Sequence, residues 1–248
     1  MSMMKLSVVI PAYNEAESIR HGSLQKVWDY MKKQTYSWEV LIVDDGSTDK
    51  TVELAKRNIK DKKGFRVLEE PHRGKGGTVI AGSMAAKGEI VLFSDMDQST
   101  PITHIADFLP EFDSGADVVI GKRTGRKGAP LVRKLMALGF AMIRTVVLRL
   151  PFADTQCGFK AFRRGAARKV FGKMRVFLER TNVKGASVQA GFDIELLYIA
   201  RKIGYKIVDV PVSWDYGERR QVSAVKDSLD ALKDILRIRV NALSGKYK

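Results

Sequence analysis

The chain has 248 residues, 45% of them apolar, which suits one sizeable α/β domain with short appendages. Its single cysteine, Cys157, excludes an internal disulfide and fits a reducing compartment. The formal charge of +15 is concentrated, because from Val118 to Leu178 fifteen Lys or Arg stand against one acid, Asp154. Such a block marks a solvated face or an anionic partner, and by itself leaves nucleic acid, acidic lipid and diphosphate substrates open.

Met1–Ile10 is too short a stretch before Pro11 to be a signal peptide. Leu6–Ile10 then reads as a buried strand, followed by a helix over Glu15 to Lys33. Glu39–Val43 is the next strand and Thr48–Asn58 the next helix. Phe65–Leu68, Ile90–Phe93 and Asp117–Ile120 are further strands, with a helix at Lys75–Ala86. This alternation predicts a mostly parallel sheet flanked by helices. Gly121–Pro130 reads as a basic loop. Leu131–Leu150 is helical and apolar nearly all round, except for a strip with Arg133, Lys134 and Arg144 and, near its end, Arg149. At 1.5 Å per residue it is about 30 Å long. Its four cations argue against spanning a bilayer and for either lying in the interface or burial in the domain. No run of eighteen uncharged apolar residues occurs, so no spanning helix is expected. Asp193–Ile203 is a helix, Tyr205–Val210 a strand, and Val222–Val240 an amphipathic helix. The expected organisation is a domain over 1–212, including the basic region 121–178, and a helical extension over 213–248.

The chemistry concentrates where strands end. Ile90–Phe93 runs into Asp95-Met96-Asp97, two carboxylates spaced i, i+2. At the carboxyl edge of a parallel sheet they stand where α/β ligands bind. With diphosphate oxygens they offer a hard, all-oxygen environment suited to Mg²⁺ or Mn²⁺. An isolated Asp-x-Asp is weak, but two more polar clusters end neighbouring strands: Pro11-Ala12-Tyr13-Asn14-Glu15 and Asp44-Asp45-Gly46-Ser47-Thr48-Asp49. Carboxylates there accept hydrogen bonds from a base N–H or ribose hydroxyls. Three such clusters on one edge point to a nucleotide site.

VVIPAYNE, VDDGSTDKT, RGKGGTVIAG and the DMD turn resemble family-2 glycosyltransferases of the GT-A fold. DTQCGFK, FDIELLYIA and PVSW resemble the branch that makes polyisoprenyl-phosphate sugars, the dolichyl-phosphate β-glucosyltransferases. The resemblance implies an inverting, metal-dependent transfer of a hexose, glucose foremost, from a UDP- or GDP-sugar. It also implies roles: Pro11, Tyr13, Glu15, Asp44 and Lys75 for the nucleotide, and Asp95 and Asp97 for the metal and diphosphate. Gln98 and Trp214 are candidates to touch the sugar.

A polyisoprenyl-phosphate acceptor explains the basic block. Its phosphate is already ionised near neutrality, with a second pKa of about 6 as in phosphoserine, and needs positioning more than deprotonation. Arg123, Arg126, Arg133 and Lys160 are the candidate holders of that phosphate. The remaining cations are expected to attract an anionic membrane surface on its cytoplasmic side. The sequence departs from the branch after the PVSW strand, where Arg219 and Arg220 are the substitutes for its usual cations.

Two alternatives differ in chemistry. A hydroxyl acceptor would need a general base, for which Asp193 or Glu195 is the candidate. A basic nucleic-acid module would need exposed stacking aromatics or a recognisable motif, and the chain has neither, so no nucleic-acid partner is expected.

Overall fold

A computed structural model describes residues 4–124, 131–175, 190–215 and 224–247, apart from the side chains of 131–138, 190 and 224–229. A seven-stranded sheet is built from β1 (Leu6–Ala12), β2 (Trp38–Asp44), β3 (Phe65–Glu69), β4 (Ile90–Phe93), β5 (Val118–Arg123), β6 (Lys160–Arg163) and β7 (Ile207–Val212). Its order is β3-β2-β1-β4-β6-β5-β7. Neighbours run parallel except around β6, which is antiparallel to both β4 and β5.

The central strands are near-continuous apolar runs because both faces of the sheet are covered. In β1, Leu6, Val8 and Ile10 enter one layer and Val9 the other, the two-residue period of a strand. On the first face lie α1 (Ala16–Arg20), α2 (Ser23–Met31), α3 (Thr51–Ile59) and α5 (Ile105–Asp113), contributing Ile19, Leu24, Val27, Leu54, Phe108 and Phe112. On the second lie α4 (Lys75–Ala85), α6 (Leu131–Leu148), α7 (Arg164–Lys173), α8 (Ala190–Ile203) and α9 (Ala224–Leu243). A short 3-10 turn, Ile102–His104, precedes α5.

The fold is thus the expected α/β arrangement, with differences that have local causes. The helix expected over Glu15 to Lys33 is two helices, α1 and α2. Gly22 between them has φ 80°, a left-handed conformation that ends the helical run and that glycine tolerates best. β6 is only four residues long, too short for its period to declare it, and it interrupts the parallel order. Helix α9 packs on α6 and α8, and Ile235, Ile238 and Tyr247 join the core of the second face. In α6, Arg144 turns inward: it is 3% exposed and donates to Thr155 Oγ1 at 3.0 Å and to the carbonyl of Phe152. Burial lowers the pKa of that guanidinium, and the charge of Asp154 opposes the change.

Candidate active site

Because β1, β2 and β4 are parallel neighbours, the segments that leave them emerge at one edge. There the first two loops are tied together. Asn14, at φ 53°, accepts through Oδ1 from the backbone N–H of Thr48 at 2.9 Å and of Asp49 at 3.3 Å. Its own N–H donates to Ser47 Oγ at 3.0 Å, and that of Glu15 to Thr51 Oγ1 at 2.7 Å. The Glu15 carboxylate accepts from Ser18 at 2.5 Å. Pro11 is the penultimate residue of β1, with its fixed ring in the strand's buried end.

Asp44 ends β2 and is 3% exposed. Its Oδ2 accepts from the N–H of Ser47 at 3.0 Å, while its buried Oδ1 has no hydrogen-bond partner among the described residues. A buried carboxylate oxygen with an open lone pair carries a desolvation cost that a ligand N–H would relieve. Next to it, Asp45 accepts from the N–H of Arg73 at 2.7 Å and faces His72 Nδ1 at 2.9 Å. Burial pushes the Asp45 carboxyl up, and the hydrogen bonds from Arg73 and His72 oppose that rise. The His72 ring stacks on Tyr13, with centroids 4.4 Å apart and planes inclined by 19°.

Lys75, the first residue of α4, reaches across to Asp95, and its Nζ hydrogen-bonds to Asp95 Oδ1. The carboxylate after β4 therefore already faces a cation contributed by the RGKGG segment. Asp97 is exposed and accepts from the N–H of Ser99 at 3.0 Å. Gln98, at φ 55°, is buried beside them. Its Nε2 donates to the Asp95 carbonyl at 2.8 Å, and its Oε1 is buried with no hydrogen-bond partner among the described residues. Gly158 lies directly against Asp95: a Cβ there would come to 2.5 Å from Asp95 Cγ.

The basic block contributes unequally. Arg123, at the end of β5, makes a two-pronged pair with Asp154, Nε to Oδ2 at 2.6 Å and Nη2 to Oδ1 at 2.9 Å. Its guanidinium stands 5.2 Å from the Trp214 ring. Trp214 is brought near the DMD turn because the N–H of the following Asp215 donates to the Ser99 carbonyl at 2.9 Å. Burial works against ionising Asp154, but the hydrogen bonds and charge of Arg123 outweigh it and hold the carboxyl below the usual carboxylate range. That sign makes the pair stabilising at neutral pH, with the contribution lost as pH falls through the depressed pKa. Asp154→Asn is expected to cost about 3–5 kcal/mol, because it leaves the guanidinium unmatched. Its urea midpoint should also fall less steeply than the wild type's below about pH 4, which denaturation across pH 3–7 measures.

Lys160 does not join this surface. It is fully buried, with Nζ 2.5 Å from Asp193 Oδ1, bonded to the Cys157 carbonyl and 5.4 Å from the Phe93 ring centre. Glu195 is also interior, accepting from Tyr247 Oη at 2.7 Å and from the N–H of Arg175 at 2.7 Å. Cys157 is packed against Gly121, and burial raises its thiol pKa, as befits a structural cysteine. Arg133 lies in the first turn of α6, its side chain outside the described part, and Arg126, Arg219 and Arg220 lie outside the described residues. His72 and Gly158 carry no signal of their own in the sequence, and Asp45 enters it only as one member of the Asp44–Asp49 cluster. A histidine 27 positions from its carboxylate partner gives no local spacing to read.

The sheet with its flanking helices has the GT-A-like α/β fold. The chain belongs to glycosyl transferase family 2, whose model matches residues 7–171, and it is a glycosyltransferase. It is 31% identical over 260 residues to the dolichyl-phosphate beta-glucosyltransferase of Dictyostelium discoideum, covering 98% of this chain and 76% of that one. The Homo sapiens protein of the same name is 29% identical over 264 residues, with 98% and 78% covered. Among solved structures, mannosyl-3-phosphoglycerate synthase from Rubrobacter xylanophilus superposes with a TM-score of 0.69 at 18% identity, covering 98% of this chain and 75% of that one. Glucosyl-3-phosphoglycerate synthase from Mycobacterium tuberculosis, in complex with Mn²⁺, UDP and glucosyl-3-phosphoglycerate, gives 0.61 at 20%, covering 96% and 80%. At these identities the structural likeness carries the fold alone.

Proposed function

We propose that this chain transfers glucose from UDP-glucose, with inversion, to the phosphate of a dolichyl-type polyisoprenyl lipid at the cytoplasmic face of a membrane. The observation that carries the donor half is the Asp95 carboxylate bonded to Lys75, on the same sheet edge as Tyr13 and the open oxygen of Asp44. The names of the curated relatives support the acceptor half.

The nucleoside would lie against Tyr13, with a base N–H donated to Asp44 Oδ1 and Pro11 and Glu15 bounding the site. The diphosphate would lie between Lys75 and the two aspartates. Asp95 and Asp97 suit a divalent cation: both are hard oxygen donors, and Asp95 already accepts a positive charge. Among the described residues no group of three or more metal-ligating side chains exists, so diphosphate oxygens would complete the shell of Mg²⁺ or Mn²⁺. The cation would supply charge neutralisation for the departing nucleoside diphosphate. Lys75 adds a second positive charge on that leaving group, and Gln98 Oε1 offers an acceptor to a sugar hydroxyl. The lipid phosphate oxygen would attack the anomeric carbon opposite the diphosphate, forming a C–O bond as the C–O bond to the diphosphate breaks. No proton needs to be removed from that nucleophile. Asp193, engaged by Lys160, fits this chemistry better than it fits a free general base. Arg123, clamped by Asp154 and set near Trp214, would be a fixed cation for the acceptor side.

Incubation with radiolabelled UDP-glucose and polyprenyl phosphate is expected to move label into the organic phase. GDP-mannose should give far less, and Asp95→Asn should abolish transfer. Absence of lipid-bound label with either donor would overturn the acceptor assignment.

The surface supports membrane contact. On α6, Met142, Ile143 and Val146 are exposed, and on the adjoining α9 so are Leu236, Val240 and Leu243. Arg149, Arg237 and Arg239 are exposed on or beside the same helices. No described helix is long and apolar enough to cross a membrane. Apolar contact flanked by cations suits an anionic leaflet, each cation adding about 1 kcal/mol. The protein should float with vesicles containing phosphatidylserine at low salt, and the pair Val146→Glu with Val240→Glu should leave it at the bottom of the gradient.

A further inference from the structure

We propose that His72 is a positioning and specificity residue of the donor site. Held by Asp45, it sets the plane of Tyr13 and presents Nε2 as a hydrogen-bond acceptor to an N–H or O–H group of the nucleoside. The inference rests on the nucleotide-sugar reading above and assigns a residue that reading does not use.

Three observations carry it. Nδ1 of His72 lies between two oxygens, the Asp45 carbonyl at 3.0 Å and Asp45 Oδ2 at 2.9 Å. The carbonyl oxygen can only accept, so a ring proton sits on Nδ1. In the tautomer that carries its single proton there, Nε2 is the acceptor. Second, Nε2 is buried and has no hydrogen-bond partner among the described residues. An acceptor enclosed without a donor is costly, and a ligand donor removes the cost. Third, the face of the ring lies on Tyr13 at 4.4 Å, so the imidazole fixes the aromatic that would stack on the base. Asp44, one residue before Asp45, has its Oδ1 likewise buried and unpartnered. Two buried, unpartnered acceptors thus come from residues at the end of β2, whose Asp44 pairs with Ala12 beside Tyr13, a complement to the ring N–H and ribose hydroxyl of a nucleoside. Nothing in this arrangement bears on the anomeric carbon, so His72 acts on donor binding and not on the chemical step.

Titration calorimetry with UDP and Mn²⁺, alongside initial rates with UDP-glucose and polyprenyl phosphate, tests this. His72→Phe keeps a stacked ring and loses both nitrogens. It should weaken UDP binding and raise the donor KM about five- to tenfold, as expected for one lost hydrogen bond, with kcat and the lipid KM unchanged. His72→Ala also frees Tyr13 and should weaken binding further, while His72→Gln, which keeps donor and acceptor atoms, should recover part of the loss. UDP affinity within twofold of wild type in both the Phe and Ala variants would overturn the inference while leaving the donor site standing. So would a fall in kcat at unchanged donor KM. Wild-type protein that binds neither UDP nor GDP would overturn this inference together with the proposed function.

Discussion

Gly158→Ala is expected to lower kcat/KM by about a hundredfold or more while the protein stays folded. The added Cβ would stand 2.5 Å from Asp95 Cγ, inside van der Waals contact, so the carboxylate must move. Asp95 cannot retreat freely, because its own loop is pinned: Gln98 Nε2 holds the Asp95 carbonyl at 2.8 Å, and Lys75 holds the carboxylate. A shift of about 1 Å at a group proposed to position the leaving diphosphate costs on the order of a hundredfold. The measurement is steady-state transfer with varied UDP-glucose and Mn²⁺, with circular dichroism as the check on folding. A variant with wild-type kinetics would mean that the Asp95 carboxylate does not set the rate.

The second large effect concerns Lys160 and Asp193. Lys160→Met should cost about 3–5 kcal/mol and lower Tm on the order of 10 °C, because the Asp193 carboxylate loses its counter-charge inside the protein. Removing both charges, as in Lys160→Met with Asp193→Leu, should restore much of that stability, since an apolar pair of similar volume often replaces a buried ion pair at little cost. The double variant also discriminates between acceptors. Lys160 bonds the carbonyl of Cys157, beside the Gly158 that abuts Asp95, so the pair supports the backbone next to Asp95. If Asp193 is only a brace, the double variant regains activity along with stability. A stable double variant with kcat reduced a thousandfold would identify Asp193 as a general base and the acceptor as a hydroxyl.

Much of the sheet edge that carries the proposed donor site is legible in the sequence. Apolar runs of four to seven residues alternating with helical periods announce parallel strands. A parallel strand puts whatever follows it on the carboxyl edge, so Tyr13, Asp44 and Asp95 could be assembled on paper. The helix at Lys75 is legible for the same reason. These are local regularities, read within one element at a time.

The tertiary structure alone decided what depends on partners distant in sequence. Four residues at Lys160–Arg163 form an antiparallel strand between β4 and β5 because the sheet offers them two edges, not because their own pattern demands it. That insertion carries the only described lysine side chain of the basic block to be fully buried into the interior, where Asp193 neutralises it, so a residue with the composition of a phosphate holder became a brace. Arg123 likewise met Asp154, 31 positions away, and His72 met Asp45, 27 away. Charge and spacing along the chain state which groups are available. Which of them face one another is set by sheet order and helix packing, since burial makes an unmatched charge too costly to leave and so selects the pairs.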